Sequence, residues 1–260
     1  MSLRALLTTR RRVILLSAIG CLLLLAGGML VVLWRPPASA AGVCAPAGTP
    51  TTATVTASQV LPPGVTQPVN LPAGEPKVVA TVNGEPIYAV GLELRVQGTL
   101  ANQRRLQQQF QNAPESLPPQ VAASMQRTTN QIRHDALTQM IQECLLLQEG
   151  KRLGLTASPA AARAQARQVV ASIEALPVND PSRASYEAYL AANHLTEQTF
   201  VTNPGVLRGY GQTLTIAAVR RHIVSGLPAG ELPQAGINAY VQRLWQKGHV
   251  HVHLPAQLGW

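Results

Sequence analysis

Aromatic side chains are scarce in this 260-residue chain, at 4%, and charged ones are few, at 13%. A domain so short of rings must build its core from aliphatic side chains, and its many alanines, which cost least in a helix interior, point to helices. Only three cysteines occur, none spaced C-x-x-C, so neither a redox dithiol nor a cysteine-rich zinc site is written into the pattern. The twelve acidic residues are scattered. There is no G-x-S-x-G, no H-E-x-x-H and no phosphate-cradling glycine loop. These absences predict a non-enzyme with no cofactor and no small-molecule substrate.

The net charge of +9 suggests nucleic acid until it is located. Arg4, Arg10, Arg11, Arg12 and Arg35 flank the first apolar run, and from Pro36 onward 16 basic residues face 12 acidic ones. No basic block lies beyond Arg12. Phosphate neutralisation needs clustered cations, so nucleic acid is not an expected partner.

Val13 to Trp34 is uncharged and apolar throughout, long enough to cross a hydrocarbon core of about 30 Å. Four arginines precede it and one follows, which orients residues 1–12 to the cytoplasm and everything after Arg35 to the outside. Trp34 stands where an interfacial aromatic belongs. The rival is a cleaved signal peptide with Ala38-Ser39-Ala40 as its processing site, but this apolar run exceeds the usual 7–15 residues of such leaders. Either way the following domain is exported. Cys44 and Cys144 are the exported cysteines. An oxidising compartment permits a bridge between them, while the simpler reading is two unpaired thiols.

Residues 35–76 are rich in Pro, Thr, Ala, Val and Gly, with Glu75 as the lone acid, and read as a semi-rigid tether. The folded domain, 77–260, is predicted to be mainly α with a small antiparallel sheet. Val78, Val79 and Val82 precede Asn83-Gly84, a type I′ hairpin signal, and Pro86-Ile87-Tyr88 return as an edge strand because proline lacks an N–H. Apolar spacing predicts helices over Val90–Gln111, Gln120–Leu153, Ala160–Leu176, Ser182–Ala192, Val206–Val224 and Gln234–Lys247. Leu100, Leu106, Val121 and Met125 fall in the apolar stripes of the first two. Gly154 is placed as a C-terminal cap, Ser158-Pro159 and Thr196 as N-terminal signals, and Pro204-Gly205 as an interruption. His249-Val250-His251-Val252-His253-Leu254 alternates as a half-buried strand does. An isolated hairpin is marginal, so this strand is expected to pair with Val78–Tyr88.

Val78-Val79-Ala80-Thr81-Val82-Asn83-Gly84-Glu85-Pro86-Ile87 resembles the opening A-x-V-N-G-x-x-I of the SurA/PrsA/PpiD-type extracytoplasmic chaperones. The run from Ala136 to Leu155 is similar to that family's L-x-x-L-I-x-x-x-L-L-x-x-x-A-x-x-x-G-I helix. Tyr189-Leu190 and Leu195 to Phe200 are similar to its Y-L-x-x-x-G-L-T-E-x-x-F segment. The resemblance spans Lys77 to Leu254. It implies a helical module closed by a sheet from both chain ends, and binding of unfolded or partly folded exported polypeptides. It does not carry over the family's parvulin isomerase domain. Only Ser225 to Pro233 stands where that domain is inserted, and Arg220-Arg221-His222-Ile223-Val224 mimics its opening without the glycine-rich run that should follow. His222 is therefore expected on a helix surface.

Candidate peptide-binding residues are Phe110, Tyr186, Tyr189, Phe200 and Tyr210, the mid-chain aromatics. His249, His251 and His253 would share one face of a strand and could supply zinc or copper ligands. The simpler arrangement turns the histidines to water and Val250, Val252 and Leu254 to the core. The sequence thus predicts a membrane-anchored, ATP-independent holdase. Its rivals are an adaptor recognising one envelope or secretion partner and a metal-binding protein.

Overall fold

The computed structural model describes Cys44, residues 77–110 and residues 119–253. The expected membrane helix Val13–Trp34 and nearly all of the 35–76 tether lie outside the described residues, as does Leu254. No helix among the described residues is long and apolar enough to cross a membrane.

Strands β1 (Val78–Val82) and β2 (Glu85–Tyr88) form the expected hairpin, with Val82 opposite Glu85. Asn83 and Gly84 take φ of 50° and 82°, the two positive values of a type I′ turn. The register slips between Val78 and Ala80, a bulge that lets Val79 join the core beside Ala80 and Val82 despite strict alternation. Strand β3 (Val250–Val252) runs antiparallel along the other side of β1, giving the order β2-β1-β3. The two ends of the domain are therefore clasped in one sheet.

Asn83 ties that clasp together. Its amide N–H donates to His249 O at 2.9 Å, its Oδ1 accepts from His249 N at 2.8 Å, and its Nδ2 donates to Gln148 Oε1 at 2.7 Å. Gln148 in turn donates to Val82 O at 2.9 Å.

The helices are α1 (Ala89–Phe110), α2 (Pro119–Met125), α3 (Thr129–Arg152), α4 (Pro159–Glu174), α5 (Pro181–Ala192), α6 (Glu197–Phe200), α7 (Pro204–Ser225) and α8 (Pro233–Lys247). Where one helix was expected over Gln120–Leu153 there are two. Thr128 leaves the helical path and caps α3 through a reciprocal box with Gln131, a local arrangement that outcompetes continuation. Gln103 of α1 donates its side-chain amide to the carbonyl of Met125 beside the break. Pro204 opens α7 rather than interrupting it, because Asn203 accepts from the amides of Gly205 and Val206 and proline suits the first helical position. Gly154 ends α3 at φ 68°. Leu155 N donates to Gly150 O and Gly154 N to Lys151 O, the double closure of a Schellman cap.

Helix α3 is the spine. Ile132, Leu137, Met140, Ile141, Cys144 and Leu145 pack under the sheet and α1, and Leu146 packs against Val219, Ile223 and Val241 of α7 and α8. A Cβ on Gly150 would lie 2.6 Å from Thr215 Cγ2, so glycine is what lets α7 approach. Arg95 of α1 holds Glu143 of α3 with two hydrogen bonds, at 3.0 and 2.7 Å. Helix α7 passes into α8 through residues 226–232 alone.

Cys44 and Cys144 form a disulfide with Cα atoms 5.8 Å apart, the bridged one of the two arrangements that the sequence left open. Cys144 is fully buried and Cys44 packs on the same core. Closing a loop of 100 residues restrains the unfolded chain by roughly 4–5 kcal/mol on the chain-entropy estimate.

Replacing Asn83 by Ala removes two side-chain hydrogen bonds and places a non-glycine, non-Asn residue at positive φ. The variant should lose about 2 kcal/mol in urea unfolding. An unchanged midpoint would show that the clasp does not depend on this side chain.

Candidate functional site

Four of the five predicted peptide-binding residues meet. Phe200 of α6 lies at the centre, edge to face with Tyr186 (5.5 Å between centroids) and Tyr189 (6.1 Å) of α5 and Tyr210 (6.2 Å) of α7. Thr196 brings Phe200 there by capping the four-residue α6, and Asn203 starts α7 so that Tyr210 faces back. All four are buried, none more than 4% exposed. Burial pushes the three tyrosine hydroxyls well above the ordinary phenol range. Tyr189 Oη is buried with no hydrogen-bond partner among the described residues. Edge-to-face packing of this kind adds about 0.5–1.5 kcal/mol per pair beyond area burial. In this arrangement the four rings face one another rather than a solvent-filled cleft.

Phe110 is elsewhere. It is half-buried at the end of α1, whose neighbours are α3, α2 and β2. Beyond Val96, no residue of α1 whose burial is described is fully buried, and the same holds throughout α2. Leu106, Phe110, Val121 and Met125 are partly exposed along this α1–α2 arm, and Leu100, also partly exposed, packs against the core. The helical period identified each of them, but the period is the same whether a stripe faces a core or an open surface. The sequence therefore gives the stripe without saying what it faces.

A polar cluster joins α3 to α8. Glu149 is buried, accepts from Arg152 Nε at 2.6 Å and Nη2 at 2.8 Å, and accepts a short hydrogen bond from Tyr240 of α8. The Arg152 hydrogen bond, outweighing desolvation, holds the carboxyl below the ordinary carboxylate range. Burial first, then the Glu149 hydrogen bond, raises the Tyr240 hydroxyl. Arg243 stacks on the Tyr240 ring at 5.4 Å. This cluster latches α8 onto the spine, and no apolar pattern signals it. His222 sits exposed on α7.

His249, His251 and His253 are exposed, while Val250 and Val252 pack on the core. His253 Nε2 lies 3.4 Å from Thr81 Oγ1. Among the described residues, the group whose ligand atoms come within 4.8 Å of one another is Cys44, Glu85 and Cys144, not the histidines, and its two sulfurs are bonded to each other.

A family model described as the SurA-like N-terminal domain matches residues 53–204, more than half of the chain. No curated protein and no solved structure matches it.

Phe200→Ala should cost about 3–5 kcal/mol by leaving a cavity among three rings, measured by denaturant unfolding; a cost under 1 kcal/mol would mean the cluster is not a packed core. Glu149 carries a lowered folded-state pKa, so its stabilisation is complete above the unfolded carboxylate value of about 4.3 and is lost as pH falls through the lower folded value. Glu149→Gln should therefore destabilise the domain by about 1–3 kcal/mol at pH 7, and the gap from wild type should close below pH 4. A pH-independent gap would contradict an ionised Glu149.

Proposed function

Because the chain belongs to the SurA-like N-terminal domain family, we propose that it is a membrane-tethered holdase. It binds unfolded or partly folded exported polypeptides outside the cytoplasm without ATP or covalent chemistry. The observation that carries this reading is the partly exposed apolar face of the α1–α2 arm on a domain of that family. Apolar side chains kept partly in water mark a surface for other chains, and an aliphatic stripe including Met125 adapts to many of them. The reading assigns client contact to Leu106, Phe110, Val121 and Met125, and leaves Tyr186, Tyr189, Phe200 and Tyr210 to hold α5, α6 and α7 together.

Two further features support the location. The apolar run Val13–Trp34 with its preceding arginines suits an uncleaved anchor with the cytoplasm on its N-terminal side. The Cys44–Cys144 disulfide suits an oxidising compartment. A tether near the exit of emerging chains raises the effective concentration of the domain.

Residues 36–260, purified with the disulfide intact, should slow the aggregation of several unrelated denatured proteins at near-equimolar ratio. Leu106→Glu with Phe110→Ser should weaken that protection several-fold while costing only about 1 kcal/mol of stability, since both sites are half-exposed. Binding of one folded partner, with no suppression of aggregation, would instead identify an adaptor.

A further inference from the structure

Cys44 lies in the segment between the apolar run and the folded domain, yet its sulfur is bonded to Cys144 on the spine helix α3. The bond is set into the core. Cys144 is 0% exposed, and Cys44, partly buried, packs against that same cluster. Covalently, then, the domain begins twice: at Lys77 through the backbone and at Cys44 through sulfur.

We propose that Cys44 is the mechanical attachment point of the folded domain, so that the leash from the bilayer is the short stretch after Arg35 and the rest of the tether is a closed loop bearing no load. The inference rests on the membrane-anchor reading above. Arg35 to Cys44 is about nine residues, a contour of ~30 Å, whereas Arg35 to Lys77 is about 42 residues and ~140 Å. A random-coil leash of the longer length would reach about twice as far on average, since reach grows as the square root of length.

The site is built to keep the bond. The Glu85 carboxylate comes within 4.8 Å of both sulfurs, and a negative charge there disfavours both an approaching thiolate and a departing one. Lys151 pairs with Glu85 at 2.9 Å and holds it in place. Reduction by an external dithiol would begin with thiolate attack on Cys44, the less buried sulfur. The second thiol of the reagent would then displace Cys44 from the mixed disulfide. Cys44 and Cys144 would take up two electrons and two protons as the dithiol closes to its own disulfide.

The test uses the full chain in membrane vesicles, with a specific protease site inserted between Pro63 and Gly64 and free thiols alkylated. The uncut chain should sediment with the vesicles. After cutting, at least nine-tenths of the domain should still sediment, and dithiothreitol should release it. Cys44→Ser should be released by the cut alone, with circular dichroism confirming that it is folded. Should Cys44→Ser not fold, the dithiothreitol arm on the wild-type sequence carries the comparison. Release of the wild-type domain by the cut without reductant overturns the proposal. An uncut chain that stays in the supernatant overturns the leash through its membrane premise. In that case, fragments that stay together on non-reducing electrophoresis and part on reduction still show the bond, so the two failures are told apart.

Discussion

Strand β1 has a strand on each side, and neither neighbour could hold it alone. The β1–β2 hairpin is local and marginal by itself, since two isolated strands rarely persist in water. The β1–β3 pairing joins residues roughly 170 positions apart (Ala80 to Val252, Val82 to Val250), so it carries a large loop-closure cost. What makes both persist is the spine helix beneath them. Val79, Ala80, Val82 and Ile87 pack into one cluster with Ile141, Cys144 and Leu145, and Gln148 of the same helix donates to Val82 O. Remove α3 and the sheet has no floor; remove β3 and Val250 and Val252 no longer cover that side of the cluster.

Much of this was legible because the turn and the strand carry local signals that tertiary context does not override. Asn83-Gly84 is favourable only where two positive φ values are wanted, and that is how it is used. His249 to His253 alternates, and the valines face the core. The sequence also gave no hint that α2 and α3 are separate, because Val121, Met125 and Ile132 continue one helical stripe across the break. The stop is decided by Thr128 and Gln131, polar residues whose capping value appears only once their side chains meet. The disulfide was open for a different reason. Two cysteines 100 residues apart carry no spacing code, and only the fold decides whether Cys44 reaches the core.

The family match ends at Pro204, short of every element that closes the fold. Helix α7 begins there, and α8 and β3 follow. These C-terminal elements are bound to the matched region by three distinct devices: the α7 approach that Gly150 permits, the Glu149–Tyr240 hydrogen bond from α3 to α8, and the β1–β3 ladder. The matched segment supplies the spine, the hairpin and the arm; the remainder covers what those leave bare. With residues 226–232 as the whole connection between α7 and α8, Gly236 can sit with its Cα face against Leu227, where a Cβ would come within 2.5 Å. So tight a return packs α8 directly back on α7.

The fold separates two kinds of apolar surface, one closed inward and one left partly in water. Phe200 and its three tyrosines are large enough to seal the junction of α5, α6 and α7, and they are buried by doing so. A chain with only ten aromatic residues has few to leave in water. The surface left partly exposed is therefore mainly aliphatic, on an arm stiffened by Gln103 donating to backbone carbonyls of Ser124, Met125 and Arg127. Those bonds satisfy the α2 C-terminus without burying Leu106 or Phe110. An apolar stripe can stay partly hydrated at little cost to the fold when the core beneath it is complete without it. Here Val96 is the last fully buried residue described in α1, and Leu100 packs against the same core one turn further on.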